Sequence, residues 1–172
     1  MRGQLYCVGG VSSSGLSLNT MERYDPTAQR WHPAPHMMQC RAGVCAGAVG
    51  AALVAAGGLR ENWEHALQDT LRSAERFHAE TGRWHPLPPM RVRRWCAAAA
   101  VSSGSLFVVG GLTDAAGGSA LTSGERLDVR SECWEDLPDM ARPRGWLAIA
   151  AAGDCLYVFG GITSGGTILA CG

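Results

Sequence analysis

Short apolar runs come in pairs along this chain, and each pair closes on two glycines. Residues 43–49 and 52–56 form one pair, 96–101 and 105–109 a second, 147–151 and 155–159 a third; residues 4–8 form a single run ending the same way. The paired runs lack polar alternation, which predicts strands buried on both faces. Gly50, Ser103 and Gly153 separate the partners and are expected hairpin-turn positions. Two less apolar segments follow each Gly-Gly. The first carries Glu-Arg and then an apolar or aromatic residue, Tyr24, Phe77 or Leu127; the second carries a Trp. The expected unit is therefore four antiparallel strands, named A to D here, with A innermost and the more alternating D outermost.

These elements recur on a fixed ruler. The pairs are Gly9-Gly10, Gly57-Gly58, Gly110-Gly111 and Gly160-Gly161, with first glycines 48, 53 and 50 residues apart. Nine residues separate Glu22, Glu75 and Glu125 from Trp31, Trp84 and Trp134. Six more lead to Met37, Met90 and Met140, and four more to Arg41, Arg94 and Arg144. All the length variation falls between Gly-Gly and Glu, where the second Gly precedes the Glu by 12, 17 or 14 residues. A repeat of about 50 residues marks one supersecondary unit copied along the chain, and insertions gathered at one point mark an exposed loop. Radial sheets with the most apolar strand inside describe a β-propeller. The Ala-rich strands A (Ala97 to Ala100, Ala148, Ala150) run against helix propensity; repeat phase outweighs that preference, and small side chains suit strands converging on an axis.

The combination Gly-Gly, Glu-Arg-Tyr-Asp-Pro, Trp and Pro-x-Met-x-x-x-Arg resembles the kelch repeat. The resemblance spans the whole chain, with Phe77-His78-Ala79 and Leu127-Asp128-Val129 replacing Tyr-Asp-Pro in two copies. It implies an all-β propeller of about three and a half four-stranded blades. The repeats divide as about 1–40 (lacking its first strand), 41–93, 94–143 and 144–172 (truncated). Kelch propellers usually close with five to seven blades. The expectation is therefore a fragment, isoform or partial gene product whose ring closes with missing blades or a second chain. An open propeller exposes apolar strand edges.

Composition changes the picture in three places. Net charge is zero, which argues against long-range attraction to nucleic acid or anionic membranes. All 15 basic residues are Arg; without Lys the chain accepts ubiquitin only at its N-terminus. The seven cysteines lack a C-x-x-C and no signal peptide precedes them, which predicts free thiols in a reducing compartment, the cytoplasm with the nucleus as alternative. Cys7 and Cys155 are expected to serve as small apolar groups in strands. Cys40 and Cys96 adjoin Arg41, Arg93 and Arg94, which would lower a thiol pKa. The uncharged run 42–59 with Gly43-x-x-x-Gly47 mimics a membrane span, but the repeat phase assigns it to two strands.

Chemistry must be weighed against repetition. Three equal Glu-Arg copies do not make one catalytic constellation; Glu22, Glu75 and Glu125 are expected to accept charge-assisted bonds from Arg41, Arg94 and Arg144. The three ruler tryptophans are expected to pack between blades. The histidines show no metal-ligand spacing, and no phosphate loop or nucleophile elbow occurs, so neither metal nor cofactor is expected. Galactose oxidase shares the propeller architecture, but ligands for its copper site are not found here. Binding residues should break the repeat. The B–C loops and D–A loops share one face, and the second B–C loop, 59–73, stands out with Arg60, Trp63 and His65 and admits a helical turn. The D–A loops add Arg91, Arg93 and Arg142. Arg and Trp are frequent binding hot spots, and an acidic peptide segment is the expected ligand. The resemblance further implies a non-enzymatic protein-interaction module: the substrate receptor of a cullin-RING ubiquitin ligase adaptor, which would carry BTB and BACK domains, or an actin-associated scaffold.

Overall fold

The computed structural model describes residues 4–62, 67–114 and 118–170, without the side chains of residues 61, 62, 67 and 68. Fifteen strands and no helix occur among the described residues. The first sheet joins β1 (Leu5–Val8), β2 (Met21–Asp25) and β3 (Arg30–Ala34). The second joins β4 (Cys45–Val49), β5 (Ala52–Ala56), β8 (Ala74–His78) and β9 (Arg83–Leu87). The third joins β10 (Ala98–Ser102), β11 (Ser105–Val109), β12 (Gly124–Asp128) and β13 (Cys133–Asp136). The last pairs β14 (Ala148–Ala152) with β15 (Cys155–Phe159). The four sheets are the blades of an incomplete propeller. Every pairing within a blade is antiparallel, between consecutive strands except where β5 pairs with β8, and β10 contacts both β4 and β14, so the A strands meet at the axis.

The hairpin turns fall at the expected positions, with positive φ at Gly50, Ser103 and Gly153. Crowding explains the small residues of strand A. A Cβ on Gly47 would lie 2.5 Å from Leu106 Cδ1 and 2.7 Å from Val101 Cγ2 of the next blade. The Gly-Gly pairs have a different cause. Gly9, Gly57 and Gly110 have φ of 64°, 65° and 66°, and a Cβ there would meet the Arg41, Arg94 or Arg144 carbonyl oxygen at 2.3, 2.4 or 2.5 Å. That close approach lets the second glycine of each pair, Gly10, Gly58 or Gly111, donate its N–H to the same carbonyl at 2.7–2.9 Å.

The core lies between blades. Val54, Ala56, Leu87 and Met90 of the second blade pack against Leu106, Val108, Leu127 and Trp134 of the third. Leu53, Phe77 and Trp84 of the second pack against Met21, Met37 and the half-buried Tyr6 and Val8 of the first. Trp84 and Trp134 lock this packing by donating their indole N–H to the Pro35 and Pro88 carbonyls, at 2.9 and 2.8 Å.

Several expectations fail in the outer blades. Burial of A and B on both faces holds for β5, wholly buried, but not for β14 and β15, where Tyr157 and Phe159 are 49% and 45% exposed. Cys7 and Cys155 are exposed rather than core groups. Trp31 packs only on Tyr24 of its own blade, at 5.3 Å between ring centroids, and is 43% exposed. Each lies on a face with no neighbouring blade packed against it among the described residues.

The described parts of the second B–C loop are not helical, and residues 63–66 lie outside the described residues. Its ends form a β-ribbon of β6 (Leu59–Asn62) and β7 (Leu67–Thr70), in register Leu59↔Thr70 and Arg60↔Asp69. Leu59 exchanges both backbone hydrogen bonds with Ala42, which extends the ribbon from the blade and supersedes local helix propensity.

Glycine substitutions separate the two causes. Gly57→Ala should lower the melting temperature much more than Gly50→Ala. Both impose a left-handed backbone on a β-carbon, at about 1–2 kcal/mol, but only Gly57 faces a carbonyl; a Cβ on Gly50 meets nothing within 4 Å. Paired thermal melts of the two variants check this.

Candidate functional site

The B–C and D–A loops are knitted into one surface by the backbone. Arg41, Arg94 and Arg144 donate their N–H to the carbonyls of Leu18, Leu71 and Leu121 in the preceding B–C loop. Their carbonyls accept from the Gly-Gly of the preceding blade, as described above. Each guanidinium then reaches forward. Arg41 Nη1 donates to Gly57 O at 2.7 Å and Ser73 O at 2.9 Å, and its Nε donates to Glu75 Oε1 at 3.0 Å. Arg94 Nη1 donates to Gly110 O and Ser123 O at 2.8 and 3.0 Å, and here Nη2, not Nε, donates to Glu125 Oε1 at 3.0 Å. The glutamates also cap the incoming loop: Met38 N–H donates to Glu75 Oε2, and the Arg91 and Val92 N–H groups donate to Glu125.

Both ion pairs are almost wholly buried, at 1%/2% and 0%/1% side-chain exposure. Desolvation holds the Arg41 guanidinium below its usual pKa, against the opposing pull of Glu75. A buried pair of this kind is costly to break from one side, because the remaining charge has no water to replace its partner. The structure corrects the expected set of pairs in two ways. Each Arg pairs with the Glu that follows it in sequence, because a blade starts at strand A, just after the Arg. Among the described residues Glu22 is accordingly exposed with no arginine against it, and Arg144 has Gly160 O at 2.8 Å and no carboxylate.

The predicted binding residues separate. Arg60 and Arg93 line one groove of 330 Å³, together with Gln39, Asp69, Thr70, Leu71, Arg72 and Ser73. Arg60 forms a half-exposed pair with Asp69 at 3.3 Å. Arg72 and Arg93 are exposed, and neither has an acidic partner among the described residues. Among the described side chains lining the groove, three arginines stand against one aspartate, an excess of positive charge. Arg91 is turned away toward Asp136 on the third blade, and Arg142 sits exposed in the following D–A loop, outside the groove. Trp63 and His65 lie outside the described residues.

Sequence reasoning missed Arg72 and an aromatic shelf. Trp95 and Trp146 stand edge to face with centroids 5.5 Å apart, just after the arginines that open strand A. Trp95 donates its indole N–H to Asp114 O at 3.0 Å, and Trp146 is 57% exposed. The signal was available: both are off the nine-residue Glu-to-Trp ruler, like Trp63. Cys96 contradicts the expected acidic thiol. It is buried, and desolvation pushes its pKa up to about 12; Cys45 beside it is raised to about 12 by the same cause. Cys40 is exposed. Among the described residues no group of three His, Cys, Asp or Glu is placed to hold a metal ion, and no helix is long and apolar enough to cross a membrane.

Two measurements follow from these contacts. Glu75→Ala should remove about 3–5 kcal/mol of stability, roughly 10 °C in melting temperature for a chain of this size, whereas Glu22→Ala should leave it near wild type. With a neutral alkylating reagent at pH 8, Cys40 and Cys133 should label in the folded protein, and Cys45 and Cys96 only on denaturation; mass spectrometry of tryptic peptides reads both.

Comparison with known proteins agrees with the geometry. The family described as Kelch motif matches residues 1–38, 40–91 and 93–141. The solved structure of YjhT superposes with a TM-score of 0.79 at 14% identity, over 92% of this chain and 54% of that one. At this identity the likeness shows the propeller fold, of which the chain spans about half the length.

Proposed function

Because the chain belongs to the kelch-repeat family, we propose that it is a non-enzymatic protein-interaction module that binds an acidic peptide segment. The observation that carries this is the groove of Arg60, Arg72 and Arg93 between the ribbon and the next D–A loop. Its walls come from three successive loops held by buried Arg–Glu pairs. The guanidinium groups are therefore presented by a rigid scaffold, which lowers the ordering cost of binding. Planar guanidinium forks suit carboxylates by bidentate bonding. The exposed face of Trp146 offers apolar area on the same side of the propeller. In its cellular setting the module would act as the substrate-binding part of a cullin-RING ubiquitin ligase adaptor, in keeping with the kelch-like proteins it resembles.

A fluorescent peptide of alternating Glu and Leu, compared with its Gln counterpart, tests the binding. The acidic peptide should bind preferentially, and raising salt from 50 to 300 mM should weaken it, since the contacts are exposed and screened. Combined Arg72→Glu and Arg93→Glu should lower affinity about a hundredfold or more, given about 1.5–3 kcal/mol for each of the two charged hydrogen bonds lost, without changing the melting temperature. Equal binding of both peptides would overturn the assignment.

A further inference from the structure

One junction between blades lacks an ion pair that its neighbour has, and a cavity stands in its place. The two junctions are otherwise packed alike. Trp84 reaches back to Pro35 O between the first and second blades, and Trp134 to Pro88 O between the second and third. On the face opposite the arginine groove, an arginine of strand C meets the C–D turn of the following blade. Between the second and third blades that arginine is Arg76. Its Nη1 donates to Val129 O at 3.3 Å, and its Nη2 pairs with Glu132 Oε1 at 2.7 Å.

Between the first and second blades the matching residue is Arg23, which precedes Tyr24 as Arg76 precedes Phe77. Counting back from Trp84 and Trp134 places Gly82 where Glu132 stands, and Ala79 where Val129 stands. The backbone is left-handed at both, with φ of 64° at Gly82 and 56° at Glu132, so the turns share a shape and differ in the side chain. A Cβ on Gly82 would meet nothing nearer than Pro35 Cγ, at 4.0 Å. The space is open: a cavity of 280 Å³ is lined by Tyr6, Arg23, Pro33, Pro35, Phe77 and Gly82 among others. Arg23 is half-buried, and its guanidinium has no hydrogen-bonded or ion-paired partner among the described residues. Asp25, two residues on, is engaged in its own turn, where it accepts from the Thr27 and Ala28 N–H groups at 2.9 and 3.0 Å.

We propose that this cavity binds a compact organic acid, whose carboxylate takes at Arg23 the place that Glu132 takes at Arg76. A guanidinium fork suits a carboxylate by bidentate bonding. The rings of Tyr6 and Phe77 and the two prolines form much of the remaining wall, so the body of the ligand is apolar or aromatic. The volume lies just below the about 300–1,000 Å³ usual for small-molecule sites, which restricts that body to the size of a single ring. The site shares no residue with the arginine groove and does not depend on the peptide reading.

Phenylacetate serves as the probe, with phenylacetamide as its uncharged counterpart. In amide NMR spectra of the full chain, phenylacetate should give saturable shifts centred on Arg23, Phe77 and Gly82. The amide should bind about tenfold more weakly or less, a charged hydrogen bond being worth about 1.5–3 kcal/mol. Arg23→Gln should weaken phenylacetate by a similar factor, while Arg72→Glu with Arg93→Glu should leave its binding unchanged. Gly82→Glu should abolish binding, because the tethered carboxylate would take the guanidinium; Gly82→Ala, with room for its Cβ, should retain it. The change of ligand and Arg23→Gln leave the turn backbone untouched, so the test stands even where a β-carbon at residue 82 destabilises the fold. No saturable binding, or binding indifferent to the carboxylate or to Arg23, would overturn the proposal. So would shifts at Arg23 from the blocked peptide acetyl-Gly-Glu-Gly-amide with none from phenylacetate, which would give the cavity to a protein side chain.

Discussion

Everything in this fold hangs on an arginine that serves two blades at once. Through its backbone it binds the Gly-Gly of the blade behind it; through its guanidinium it binds the Gly-Gly and the glutamate of the blade it opens. Each Arg is thus a joint between consecutive sheets, and the joint is possible only because a glycine without a side chain lets the carbonyl approach. The energetics fit this placement. Two charges are taken out of water, and the cost is offset by filling nearly every donor of the fork with backbone carbonyls, a serine hydroxyl and a carboxylate. Within the two buried pairs one donor, Arg94 Nε, is left without a partner.

The joint also determines what the loop face can do. By fixing the D–A loops against the B–C loops, it sets the floor on which longer insertions stand. The ribbon of β6 and β7 rises from that floor through Leu59 and Ala42, and the groove forms where its base meets the next D–A loop. A scaffold of equal repeats thereby acquires one unequal place, at the blade with the longest insertion.

How far the chain could be read in advance depended on how local each signal was. The strands and their turns were legible because Gly-Gly, Trp and the turn positions each report a backbone requirement within a few residues. The outward exposure of Tyr157, Phe159 and Trp31 was not, since burial there depends on a neighbouring sheet and not on the strand's own pattern. The partner of each Glu was half legible. Spacing named the residue types, but only the phase of the blade, which starts after the Arg, decided that Arg41 meets Glu75 and leaves Glu22 aside. The groove was harder still. Arg91 and Arg93 are two residues apart in one loop and look alike in sequence, yet one turns to Asp136 and the other lines the groove. Arg72 was overlooked because nothing in its own loop marks it; its significance comes from Arg93, which the fold places beside it.

The indole bonds of Trp84 and Trp134 to Pro35 and Pro88 run in one direction, from each blade back to the linker behind it. Such nearest-neighbour coupling makes the chain a one-dimensional array, in which each unit's persistence depends on the units that flank it. The second sheet is clamped in this way on both sides, toward the first and toward the third. Amide exchange should therefore be slowest in β5, which is wholly buried within the doubly coupled sheet.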